Sequence, residues 1–133
     1  MKELHFKVIP HSEQHYNTIG DYFANGPIEE FRSSELGNNT AELAVFIHEL
    51  VERHWNELHG VTTGASEEFD VAFEDAASQG LVPADSEPGD DPASPYYRGH
   101  QIATVVERVF TEMFGLDWQE YESAMMKLWR PEQ

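Results

Sequence analysis

The chain has 133 residues and no cysteine. Disulfides and thiolate metal sites are therefore excluded, and any metal must be held by nitrogen and oxygen. Positive charge is also scarce, with 8 Lys and Arg against 25 Asp and Glu and a formal net charge of -17. Such a field opposes nonspecific contact with nucleic acid or with anionic membrane surfaces. No apolar run approaches the roughly 20 residues needed to cross a bilayer. The opening residues, Met1 to Lys7, lack the apolar stretch of a signal peptide, so a cytosolic protein is expected. There is no Ser-His-Asp order, no phosphate-cradling glycine loop and no basic-aromatic surface. Nucleophilic catalysis and nucleic-acid readout thus find no support.

What remains is the material of one globular domain spanning residues 1–133. Hydrophobic residues make up 40% of the chain, enough for a core at this length. The acids are unevenly placed. Between Arg53 and Arg98 there is no Lys or Arg, while Glu57, Glu67, Glu68, Asp70, Glu74, Asp75, Asp85, Glu87, Asp90 and Asp91 fall in that interval. A solvated acidic face, a cation site and a surface for a basic partner all fit this pattern.

Periodicity predicts an α+β fold, a small N-terminal antiparallel sheet followed by three or four packed helices. Leu4, Phe6 and Val8 alternate as in a half-buried strand that Pro10 stops. Asp21 to Phe23 and Ile28 to Arg32 read as a hairpin around Ala24-Asn-Gly-Pro27. A helix from about Ala41 to His59, capped by Thr40 and closed by Gly60, has Leu43, Ile47, Leu50, Val51, His54 and Leu58 as its apolar stripe. A second is expected over Ser66–Ser78, with Phe69, Ala72, Phe73 and Ala76 inward. A third spans Arg98–Phe114 with Ile102, Val105, Val106, Val109, Phe110 and Met113 as its stripe. A fourth covers Asp117–Trp129, with Trp118, Tyr121, Met125, Leu128 and Trp129 as core. Leu81 to Pro95, with four prolines, reads as an acidic loop.

The chemistry concentrates in Ala44 to Glu52, Ala-Val-Phe-Ile-His-Glu-Leu-Val-Glu. His48 and Glu52 are four apart on an apolar helix, so both side chains point the same way. Asp70 and Glu74 repeat that spacing on the second helix, and His100 and Glu107 flank the stripe of the third. Helices packed on a common core can bring such pairs to one point. A divalent metal held by His48 and Glu52, with Asp70, Glu74 and His100 as the next ligands, is the expectation. Zinc, manganese or iron suits imidazole and carboxylate donors. His11, just past the first strand, is expected on the surface.

His48-Glu49-Leu50-Val51-Glu52 resembles the H-E-x-x-H helix of zincin metallopeptidases, with Glu52 where the pattern has its second His. The resemblance implies His48 and Glu52 as ligands, Glu49 as the base that activates water, and a peptide or small-molecule substrate. Glu49-Leu-Val-Glu52 followed by Glu67-Glu-Phe-Asp70 resembles the E-x-x-E and E-x-x-D pair of MazG-like nucleoside triphosphate pyrophosphohydrolases, which implies magnesium. The chain as a whole resembles small acidic proteins of phages and prophages. Ile9-Pro-His-Ser-Glu-Gln14, Thr18-Ile-Gly-Asp-Tyr22, Ile47 to Glu52, Phe69 to Glu74 and Glu87-Pro-Gly-Asp-Asp91 carry that likeness, along with Pro95, Tyr96 and His100. It implies the host cytoplasm as location and leaves room for a binding role, in which carboxylates imitate nucleic-acid phosphates toward a basic host protein.

Overall fold

The computed structural model describes residues 3–131. Three strands come first: β1 (Glu3–Ile9), β2 (Gly20–Asn25) and β3 (Ile28–Ser34). β2 and β3 form the expected antiparallel hairpin. Gly26 opens its two-residue loop at φ 61°, a conformation that glycine adopts without strain. β1 does not add to β2. It pairs in parallel with β3, Phe6 beside Phe31, so the sheet is mixed and ordered β1-β3-β2. The reason is burial: Phe31, Ser33 and Ser34 are enclosed, which makes β3 the central strand. Phe6 stacks on Phe31 at 5.0 Å and meets Phe46 edge-on at 5.3 Å, tying the sheet to the first helix.

Four helices follow: α1 (Asn39–Leu58), α2 (Thr63–Ser78), α3 (Tyr97–Met113) and α4 (Trp118–Trp129). The α+β arrangement is thus as expected. The cap of α1 is Asn38 rather than Thr40; its side chain accepts from the Ala41 amide at 3.0 Å. Thr62 caps α2 one turn earlier than expected, and Asp117 caps α4. The acidic 81–95 segment holds a single 3-10 turn, Pro88–Asp90.

α1 and α3 pack antiparallel, with Trp55 beside Gly99 and His48 beside Glu107. Their apolar stripes are turned the opposite way from the expectation. Leu43, Leu50, Leu58, Ile102, Val105, Val106, Val109 and Met113 are exposed. Buried instead are Ala41, Ala44, Val45, His48, Glu52 and Asn56 on α1, and Gly99, Ala103, Glu107 and Thr111 on α3. Small residues permit the close approach. A Cβ on Gly99 would lie 2.9 Å from the Trp55 ring, and Ala44 and Ala103 are fully enclosed. Periodicity locates a stripe; it does not say which face of the helix turns inward. On α2 Ser66 and Phe73 are buried, Phe69 and Ala76 are half-buried and Ala72 is exposed against expectation, whereas α4 buries Tyr121 and Trp129 as expected.

Candidate metal centre

Turning polar faces toward each other places ionisable groups between α1 and α3. His48 Nε2, Glu52 Oε2 and His100 Nδ1 form a triangle, each 3.2 Å from the other two. Ligand atoms around a tetrahedral ion with bonds of about 2.0–2.1 Å lie about 3.3 Å apart, and around an octahedral ion about 2.9 Å. The observed spacing lies nearer the tetrahedral value. Two groups among the described residues bring three potential ligand atoms within 4.8 Å of one another: His48, Glu52 and His100, and, more loosely, Glu87, Asp90 and His100.

Each imidazole has carboxylate on its far side. His48 Nδ1 donates to Glu107 Oε1 at 2.7 Å, and Tyr121 donates to the other Glu107 oxygen at 2.5 Å. This fixes the ring and leaves Nε2 for the triangle, the outer-shell arrangement of metal-binding histidines. His100 Nε2 faces Asp90 at 3.4 Å and Glu87 at 3.6 Å. The 88–90 turn lies flat against this ring, since a Cβ on Gly89 would come within 2.4 Å of it.

Burial opposes charge on His48, but hydrogen bonds to Glu107 and Glu52 override it and raise its pKa to about 10. At His100 burial again opposes charge, and Asp90, Glu52 and Glu87 raise the pKa to about 12. Burial works against the Glu52 carboxylate too, yet the two histidines hold it down to about 2. Glu49 is different. Burial and then repulsion from Glu52 push its pKa well above the ordinary carboxylate range. Its Oε1 packs against Gly20 of β2, where a Cβ would sit 2.5 Å away.

These groups open into a cavity of about 250 Å³ walled by all four helices, the start of β2, the segment before it and the 88–90 turn. No Lys or Arg is in its lining. Asp70 reaches the cavity from α2, though not the triangle. Tyr16 donates to it at 2.8 Å and Tyr96 donates to its other oxygen. Burial raises Asp70 to about 6 against the pull of those two bonds. Glu74 lines the wall and is engaged by Arg130 at 2.7 and 3.2 Å. Of the five ligand candidates, the structure therefore unites three and sets Asp70 and Glu74 on the cavity wall. His11 bonds Ser34 and Asn17 at 2.8 Å each; it is half-buried and does not line the cavity, although Asn17 does.

Several contributors were not among the expected ligands, although Asp21, Tyr96, Glu87 and Asp90 fall in segments singled out in the sequence. Asp21 at the start of β2 lines the cavity, and burial raises it to about 7. The tyrosines on Asp70 come from two distant loops. Glu87 and Asp90, from the acidic loop whose turn carries oxygen donors, meet His100. Compared with known proteins, the chain matches no family model, no curated protein and no solved structure.

Proposed function

We propose that this protein binds one divalent metal through His48, Glu52 and His100 and uses it for hydrolysis. The observation that carries the reading is the triangle of donor atoms at 3.2 Å, backed on one ring by the Glu107–Tyr121 pair. Two imidazoles and one carboxylate form the ligand set of zinc hydrolases, which leave a fourth position for water. The same set serves non-haem iron oxygenases. The spacing and the neighbouring Glu49 favour zinc and hydrolysis. A bound ion would lower the pKa of its water, and Glu49, next in sequence to a ligand and raised in pKa, would accept the proton.

The lining also bears on the substrate. With carboxylates throughout and no Lys or Arg, a neutral or amine-bearing molecule such as a peptide fits better than a phosphate ester. Ser66 Oγ, buried without a hydrogen-bond partner, lines the same space and is available to orient it. The acids that suggested mimicry of nucleic acid largely converge here: Glu67, Asp70, Glu74, Asp85, Glu87 and Asp90 all line the cavity. A convex acidic face for a basic host protein is correspondingly less supported.

Elemental analysis of protein purified without chelator tests the metal. Near-stoichiometric zinc, manganese or iron that is lost in His48→Ala is expected, and metal content unchanged by that substitution would sink the reading. Glu49→Gln should retain the metal and reduce hydrolysis by about 10²–10⁴-fold. One observation favours the MazG-like alternative: Glu49, Glu52, Glu67 and Asp70 line one cavity. Magnesium-dependent release of pyrophosphate from nucleoside triphosphates, insensitive to loss of His48, would select it, because magnesium prefers an all-oxygen shell.

A further inference from the structure

We propose that the outward apolar face of α1 and α3 is the interface of a symmetric dimer of this chain. The inference stands on the helix pair alone and not on the metal centre. Leu43, Leu50 and Leu58 run along α1, and Val105, Val109 and Met113 along α3, each between 36% and 71% exposed. The two helices lie side by side with their polar faces turned to the cavity, so these residues share one surface. Their exposed area is on the order of 600 Å², at the top of the roughly 300–600 Å² range of the largest patch on a typical monomer. It would supply most of the roughly 800 Å² that each partner gives to a standard interface.

A net charge of -17 opposes self-association in general, so a second copy needs a seam free of carboxylates with matched charges at its edge. None of these six positions is acidic. The edge of the seam is also complementary to itself. Arg98 and Glu112 sit at opposite ends of α3, 14 residues and just under four turns apart, on one side of the helix. Neither makes an ion pair among the described residues, although most of the described Lys and Arg do. Both are equidistant in sequence from Val105. Two α3 helices crossing antiparallel at Val105 would place Arg98 beside Glu112 of the partner subunit, and the two-fold axis would repeat the pair. The assembly is then a four-helix layer, α1 and α3 from each copy, with a dry seam between two wet cavities.

Sedimentation of the full chain from micromolar to submillimolar concentration tests this. The expected mass is twice the 15.2 kDa of one chain. Val105→Glu with Val109→Glu should sediment as a single chain with an unchanged circular dichroism spectrum, since both positions are open to solvent within one chain. Arg98→Glu should weaken association by about tenfold or more, and adding Glu112→Arg should restore it. The chain has no cysteine of its own, so Val105→Cys in the otherwise natural protein should give a disulfide-linked pair on mild oxidation. A single chain at every concentration overturns the proposal, as does a dimer that survives the double glutamate substitution or an assembly of any number other than two. Failure of the reversed charges to restore association overturns the antiparallel crossing.

Discussion

The two faces of the α1–α3 pair differ in a way that reverses the usual economy of a helix. The inward face carries His48, Glu52, His100 and Glu107 among small residues, and the outward face carries leucine and valine. Enclosing ionisable groups is costly unless they are paired, and here they are paired into a geometry suited to a cation. Exposing a connected apolar surface also forgoes stabilisation that a partner would recover. On the proposals made above, the inward face serves a metal and the outward face a second copy.

The comparison breaks most visibly at the ligands. His48→Ala removes a donor and strips Glu107 of its imidazole, and metal affinity should fall by more than about 100-fold, beyond the roughly 10–100-fold expected for an outer-shell change. Titration with a competing chelator measures this. Glu107→Gln keeps shape and the Tyr121 contact but removes the charge behind His48, and should fall within that 10–100-fold range. If it costs nothing, Glu107 is structural and the metal reading loses the backing behind His48.

Packing offers the next contrast. Ala103→Leu forces a larger side chain into a fully enclosed position and should destabilise by about 1–3 kcal/mol in urea unfolding. Leu50→Gln, on the outward face, should change the stability of the dissociated chain by no more than about 0.5 kcal/mol. Equal effects at these two positions would mean that the helices are turned the other way.

Acidity probes the cavity more gently. Asp21 and Asp70 have folded pKa values raised to about 7 and about 6 from an ordinary 3.8. A raised acid favours the folded state while protonated. That contribution is complete below about pH 4 and is lost as pH rises through 6 and 7. Metal-free protein should therefore lose on the order of several kcal/mol between about pH 4 and pH 7 through these two groups. A divalent ion in the cavity should flatten the loss by offsetting their charge. Thermal melts at several pH values, with and without zinc, test the sign.

The sequence disclosed the centre better than its surroundings. His48 and Glu52 could be read because four-residue spacing on an apolar helix puts two side chains on one side. His100 and Glu107 could be read as a flanking pair. The role of Glu107 behind His48 could not, because it depends on which face of α3 meets α1. The same ambiguity inverted both stripes: the pattern of Leu43 to Leu58 records a period of 3.6 and is silent about direction. Asn38, Asn39 and Thr40 are all capable caps, so the start of α1 was open by two residues. β1 was readable as a strand, but its parallel partner was set by the burial of Phe31 and Ser33. That Asp21, Tyr16 and Tyr96 gather around Asp70 could not be read, since nothing local relates a strand and two loops to that residue.

The attachment of α2 has a consequence for motion. Its main backbone contact is the 88–90 turn, and its polar tethers are Asp70, held by Tyr16 and Tyr96, and Glu74, held by Arg130. Both acids also form the cavity wall. Any occupant that draws on Asp70 competes with the two phenols that anchor the helix. Filling the cavity and fastening its cover are therefore opposed at one carboxylate. Amide hydrogen exchange along Thr63–Ser78 would register that opposition, quickening where an occupant takes Asp70 from its tyrosines and slowing where it bridges all three.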